Sequence, residues 1–290
     1  MTPPPRLLTG IGEVADRYDG YLLDLWGTVH DGYRPLPGAL DAMIALKARG
    51  KRILMISNAP RRNDVVIERL AAIGIPDRLY DAVITSGEAA HRALRERTDS
   101  DHAALGRACY HLGPPRDESV LVGLDIDIVD DLAAADFILN TGLDKVDETV
   151  ADYEPLLAAG AGRALPMICA NPDLVVLHGE ARELCAGALA ARYEDLGGTV
   201  VYHGKPHAAI YATALDLLGI ADRGRLLAIG DSLRTDIAGA RAAGIASVLI
   251  LGGIHALEAG DGDGLARLCR ETGASPDYAA AGFTWSADGL

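Results

Sequence analysis

The chain has 290 residues, 49% of them hydrophobic and 23% charged, enough to bury a core for two domains and too apolar to be disordered throughout. Its formal net charge of -14 and pI near 4.9 exclude an extended nucleic-acid groove or an anionic membrane surface, because both need clustered cations. A small anion neutralised locally is compatible with that balance.

The start, Met1-Thr2-Pro3-Pro4-Pro5-Arg6, is followed by no apolar stretch of signal-peptide type. No uncharged apolar run approaches the roughly 20 residues of a bilayer span. A cytoplasmic protein with no membrane partner is expected. Tyr21 to Leu25 predicts a buried strand that carries Asp24 to the carboxyl edge of a sheet, where open α/β folds place their ligands. After a turn with Gly27-Thr28 come a helix, Gly38 to Arg49, and a strand, Arg52 to Ile56, ending in Ser57-Asn58. A helix from Asn63 to Ile73 and a strand from Ala82 to Thr85 follow.

From about Glu88 to Gly198 the chain carries its own set of elements, with strands expected at Ala108 to Leu112, Ser119 to Val122, Phe137 to Asn140, Pro166 to Ala170 and Leu174 to Val176. The first pattern resumes at Val200 to Lys205, then a helix His207 to Leu218, a strand Leu226 to Ile229, the turn Gly230-Asp231, a helix Asp236 to Ala243 and a strand Ser247 to Leu251. Alternating strands and helices predict an α/β fold: a Rossmann-like, doubly wound parallel sheet core (1-87 and 199-290) with an inserted α/β cap domain (88-198). Cys109, Cys169, Cys185 and Cys269 show no CxxC or Cys/His ligand spacing, so reduced thiols are expected rather than zinc or a disulfide framework.

Asp24, Ser57-Asn58, Lys205 and the run Gly230-Asp231-Ser232-Leu233-Arg234-Thr235-Asp236 all fall at strand ends or helix starts. Each is weak alone; in this order they describe a phosphoryl-transfer site. A carboxylate such as Asp24 can attack phosphorus and divide one hard displacement into two easier ones. Two acids at neighbouring strand ends, Asp24 and Asp231, suit a hard cation of the Mg2+ type. Lys205 would add a point charge, Ser57 a hydroxyl donor, and the amides around Asn58 and Ala59 an anion cradle. Asp236 would orient a metal-bound water or pair with Lys205.

These four segments resemble, in order, the four motifs of the haloacid dehalogenase (HAD) superfamily. The insertion, with Ala170-Asn171-Pro172-Asp173, resembles the class IIA branch of NagD-like and p-nitrophenyl phosphatases. The resemblance implies a mobile cap and Mg2+-dependent hydrolysis of a small phosphorylated metabolite (sugar, nucleotide or planar-ring phosphate). Asp24 would be the nucleophile, Ser57 the phosphate-binding hydroxyl and Lys205 the stabilising cation. Asp24, Asp231 and the Trp26 backbone carbonyl would be metal ligands, with Asp236 in support. Asn171 and Asp173 fall where this branch reads its substrate, and relatives often form homodimers through the cap.

Trp26 departs from the pattern. Phosphatases of this superfamily mostly carry aspartate there as general acid and base, and an indole offers only an N-H donor. Such assistance is worth about 100 to 10,000-fold. Three readings follow: the leaving group needs no proton, or His30 or Asp31 supplies it, or the protein binds a phosphorylated ligand as a catalytically attenuated binding or regulatory protein. The indole face could also stack on a planar substrate. Cleavage of a C-P or C-halogen bond on the same scaffold is a further alternative.

Overall fold

The computed structural model describes residues 4–178, 181–255 and 262–286, so Met1 to Pro3 of the amino-terminal reading lie outside it. In chain order the first elements are β1 (Arg6–Leu8), β2 (Gly20–Leu23), α1 (Ala39–Ala48), β3 (Arg52–Ser57), α2 (Asn63–Ala72), β4 (Ala82–Thr85) and α3 (Ser86–Glu96). Next come α4 (Ser100–Ala103), β5 (Ala108–Leu112), β6 (Asp127–Ile128), β7 (Phe137–Asn140), α5 (Glu154–Gly162) and β8 (Pro166–Cys169). The strands β9 (Val175–His178) and β10 (Ala181–Leu184), α6 (Ala186–Asp195) and β11 (Thr199–Tyr202) complete the middle third. The chain then forms α7 (Ala208–Leu218), β12 (Leu226–Gly230), α8 (Ala238–Ala242), β13 (Ala246–Ile250), α9 (Gly262–Thr272) and β14 (Tyr278–Ala280).

Seven parallel strands form the first sheet in the order β1-β14-β13-β12-β2-β3-β4. Its central strands are apolar on both faces, as a parallel sheet covered by helices requires. Along β3, Ile53 and Met55 point into one core with Met43 and Leu46 of α1, while Leu54 and Ile56 point into the other with Ile210 and Ala214 of α7. This alternation makes the fold doubly wound. From β2 the chain winds outward through β3 and β4; from β12 it winds the other way through β13 and β14. The carboxyl ends of β2 and β12 therefore flank the topological switch point, where such sheets bind ligands.

A second parallel sheet, β11-β8-β7-β5-β6, has its own cores: α3 packs Ala90 and Leu94 on one face, α5 and α6 pack Leu157 and Leu189 on the other. Strand β11, read from sequence as part of the resumed first domain from residue 199, belongs to this sheet, with Val200 paired to Met167 of β8. A β-branched strand between two helices fits either sheet, so local pattern could not place it. The strand expected at Ser119 to Val122 is instead a 3-10 segment, Pro115–Leu121. Pro114 and Pro115 fix φ and remove ladder donors, and the turn still buries Val120 and Leu121. The strand expected at Leu174 to Val176 lies slightly later, as the first arm of the antiparallel pair β9 and β10. Among the described residues no helix is long and apolar enough to cross a membrane.

Leu54 is fully buried and Leu7 is 68% exposed. Leu54→Ala is expected to lower the unfolding free energy in a urea titration by about 2 to 5 kcal/mol, and Leu7→Ala to change it by less than about 0.5 kcal/mol.

Candidate active site

Asp24 follows β2 directly, and its amide donates to Ile229 O of β12 at 2.9 Å, so the two strand ends are locked side by side. Asp231 follows β12. Beyond it, Ser232 accepts from the Thr235 amide and opens a single π turn, Leu233–Ile237, that turns Asp236 inward. Carboxylate oxygens of Asp24, Asp231 and Asp236 lie within 4.8 Å of one another, all buried. Glycines make this approach feasible: a Cβ on Gly27, whose φ is +72°, would sit 2.0 Å from Asp231 Oδ2, and one on Gly253 2.2 Å from it.

Lys205 is the cation of the cluster. Its Nζ donates to Asp24 Oδ1 at 2.5 Å and to Asp236 Oδ1 at 2.6 Å, with the side chain almost wholly enclosed. Asp236 thus pairs with Lys205, one of the two roles expected of it. Asn58 holds Lys205 in place: its Oδ1 accepts the Lys205 amide at 2.7 Å, and its Nδ2 donates to Lys205 O and to Asp173 Oδ1, both at 3.0 Å. The Asn58 side chain thereby fastens the Lys205 loop to the segment 171–173, while the anion cradle expected around Asn58 and Ala59 concerns their backbone amides. Asn171 shapes that segment, its Oδ1 accepting the Asp173 amide at 3.0 Å as an Asx turn. Ser57 ends β3, buried, and its Oγ accepts from Ala59 N at 3.2 Å.

Burial pushes the Asp24 carboxyl up to about 7, against the pull of Lys205 and with the push of Asp236. Burial, then the charges of Asp24 and Asp236, hold Asp231 well above the ordinary carboxylate range. Burial raises Asp173 to about 6, opposed by Lys205 and Asn58. Burial alone would lower the Lys205 ammonium, but Asp236, Asp24 and Asp173 outweigh it and hold it well above the usual lysine value. Four carboxylates face one ammonium, and among the described residues the Asp231 carboxylate is met by one backbone donor, Ile254 N at 2.8 Å. An all-oxygen donor set with surplus negative charge fits a hard divalent cation.

The site opens into a cavity of about 590 Å³. Leu25 and Trp26 line it from the loop after β2 and Val65 from α2; Leu143 lines it from the loop after β7, and Val176 and Leu184 from the β9-β10 pair. All the expected site residues meet on this cavity: Asp24, Trp26, Ser57, Asn58, Asn171, Asp173, Lys205, Asp231 and Asp236. Trp26 is half-buried, its ring edge-on to His30 at 5.1 Å between centroids. His30 also lines the cavity, and burial lowers its imidazole to about 4. Asp31 instead shapes the loop, its Oδ1 accepting the Tyr33 and Arg34 amides at 2.9 Å each. The sequence placed Thr235 in the run 230–236 without a role of its own, and it did not reveal the Gly253-Ile254 turn that seats Asp231 or the loop 141–146. The Gly252-Gly253 pair after β13 was the available signal for that turn.

A family profile described as haloacid dehalogenase-like hydrolase matches residues 21–127, and one described as HAD-hydrolase-like matches residues 202–279. The structure of a haloacid dehalogenase-like hydrolase from Brucella suis 1330 is 33% identical, with a TM-score of 0.85 over 96% of this chain and 100% of that one. The chain belongs to the haloacid dehalogenase-like hydrolases. Among its relatives, the D-glycerol 3-phosphate phosphatase of Mycobacterium tuberculosis is 28% identical over 83% of this chain, and the match spans 65% of that protein's length. The 4-nitrophenylphosphatase of Thermotoga maritima is 25% identical, with a TM-score of 0.70 over 95% of this chain and 98% of its own.

Removing Asp231 separates charge repulsion from cation binding. With chelator present, Asp231→Asn is expected to melt no lower than wild type, because a buried like-charge contact is relieved. With Mg2+ at 100 times its Kd, wild type is expected to gain about 2.7 kcal/mol and the variant much less, read by thermal denaturation.

Proposed function

We propose that this hydrolase is an Mg2+-dependent phosphatase of the class IIA kind, acting on a small phosphorylated metabolite through an aspartyl-phosphate on Asp24. The observation that carries the reading is the contact of Lys205 Nζ with both Asp24 and Asp236, beside Asp231, at the sheet's switch point. In this reading Asp24 attacks phosphorus, held and partly neutralised by Lys205. The Ser57 hydroxyl donates to a phosphate oxygen. Asp24, Asp231 and the Trp26 carbonyl would hold Mg2+, which when bound offsets the charge of phosphate and nucleophile. Asn171 and Asp173 carry the cap's side of substrate selection, Asp173 directly and Asn171 by setting the turn. The phosphatase names of the relatives support the reaction class.

The aromatic at Trp26 favours a second reading, a catalytically attenuated protein that binds a phosphorylated ligand and releases little phosphate. A homodimer through the cap belongs to the proposal as well, and sedimentation velocity checks it.

Wild type with Mg2+ is expected to release nitrophenol from p-nitrophenyl phosphate, and Asp24→Asn to lower the rate by about 1,000-fold or more. Chelation of the metal should abolish turnover. Saturable, metal-dependent ligand binding without phosphate release would support the attenuated reading instead.

A further inference from the structure

We infer that this site selects phosphates whose leaving oxygen departs without a proton (aryl, enol or acyl phosphates) and that hydrolysis of phosphorylated Asp24 is the slow step. The inference rests on the phosphatase reading and adds its substrate class and its rate-limiting half.

Among the described residues at or beside the cavity, His30, Asp31, Asp117 and Asp173 are each held by a partner, and Glu183 on β10 is engaged as well. Trp26 has an indole N-H and no group that exchanges a proton near neutral pH. His30 Nδ1 accepts the Gly32 amide at 2.9 Å, which leaves the ring proton on Nε2. The imidazole can therefore donate a hydrogen bond, but it has no free lone pair to take a proton from water. Asp31 points its carboxylate into its own turn. Asp173 is taken up by hydrogen bonds from the Asn58 and Thr235 side chains. Asp117 is ion-paired with Arg61 at 2.6 Å. Asp144 stands exposed to bulk water with Lys145 and Val146.

In the first step an Asp24 oxygen bonds to phosphorus and the bond from phosphorus to the leaving oxygen breaks. That oxygen takes the electron pair and departs as RO⁻. In the second, water oxygen bonds to phosphorus, the bond to Asp24 breaks, and the products are the free carboxylate and H2PO4⁻. Where RO⁻ is an aryloxide or enolate, that acid gives it the proton in solution, so ROPO3²⁻ and H2O become ROH and HPO4²⁻; a carboxylate leaving group keeps its charge, and RCO2PO3²⁻ and H2O become RCOO⁻ and H2PO4⁻. A stable RO⁻ makes the first step fast without an acid. The second still needs a base for water, so the phosphoenzyme accumulates; each missing proton transfer is worth about 100 to 10,000-fold. The apolar wall of Leu25, Trp26 and Val65 suits the flat, weakly solvated group that such phosphates carry.

Wild type with Mg2+ would be mixed rapidly with substituted phenyl phosphates of graded leaving-group acidity, and with ethyl phosphate. Expected are a burst of about one phenolate per Asp24, a hydroxylamine-sensitive phosphoryl label absent from Asp24→Asn, and kcat/KM rising steeply with leaving-group acidity while kcat stays nearly constant. Trp26→Asp should shrink the burst and raise ethyl phosphate turnover by about 100-fold or more; the wild-type measurements stand whether or not that variant folds. Ethyl phosphate turned over as fast as nitrophenyl phosphate, without a burst, overturns the inference and leaves the phosphatase reading intact. A flat dependence in wild type that becomes steep in Asp173→Asn also overturns it, by assigning the proton to Asp173. Absence of turnover and of any Asp24-dependent label with every ester sinks both readings.

Discussion

One buried ammonium set among four acids is the constraint on which the rest of this structure depends. Lys205 contacts Asp24 and Asp236 directly and lowers the energy of Asp173 from a distance. Burying charge is costly unless it is paired and hydrogen-bonded, and here pairing is incomplete. The surplus is held in place by strand-end backbone, by the π turn after β12 and by glycines that leave room for carboxylates. The same surplus suits the pocket to a divalent cation, whose charge would offset the acids.

Two separately cored sheets meet at this cluster. The first supplies Asp24, Ser57 and the Asp231–Asp236 turn from the ends of its central strands; the second supplies Asp173 and the apolar loops that close the cavity. Asn58 joins them, with three side-chain hydrogen bonds divided between the Lys205 backbone and the Asp173 carboxylate. A residue whose backbone amide is the one expected to meet phosphate has a side chain that fastens the first sheet's strand ends to the second's.

How much of this could be read from sequence depended on how local each signal was. The central strands were plain, because continuous apolar runs such as Leu22-Leu23 and Leu226-Leu227 leave little alternative, and the acids at their ends followed. Strands β1 and β14 were not read: each is only three residues long, and each finds its partner far along the chain. Strand β11 was read as a strand but given to the wrong sheet, since pairing is a long-range choice that its own residues do not encode. The role of Asn58 was invisible because its partners lie 115 and 147 residues away. The Asn171 turn, by contrast, is set by neighbouring residues, its Oδ1 accepting from the amide two positions on.

The path of the backbone through β11 carries one more consequence. Lys205 comes three residues after a strand hydrogen-bonded into the second sheet, yet its ammonium is clamped within the first. The connection is too short to serve as slack. Any displacement of the second sheet relative to the first would therefore be transmitted to the Lys205 ammonium and, through it, to Asp24 and Asp236.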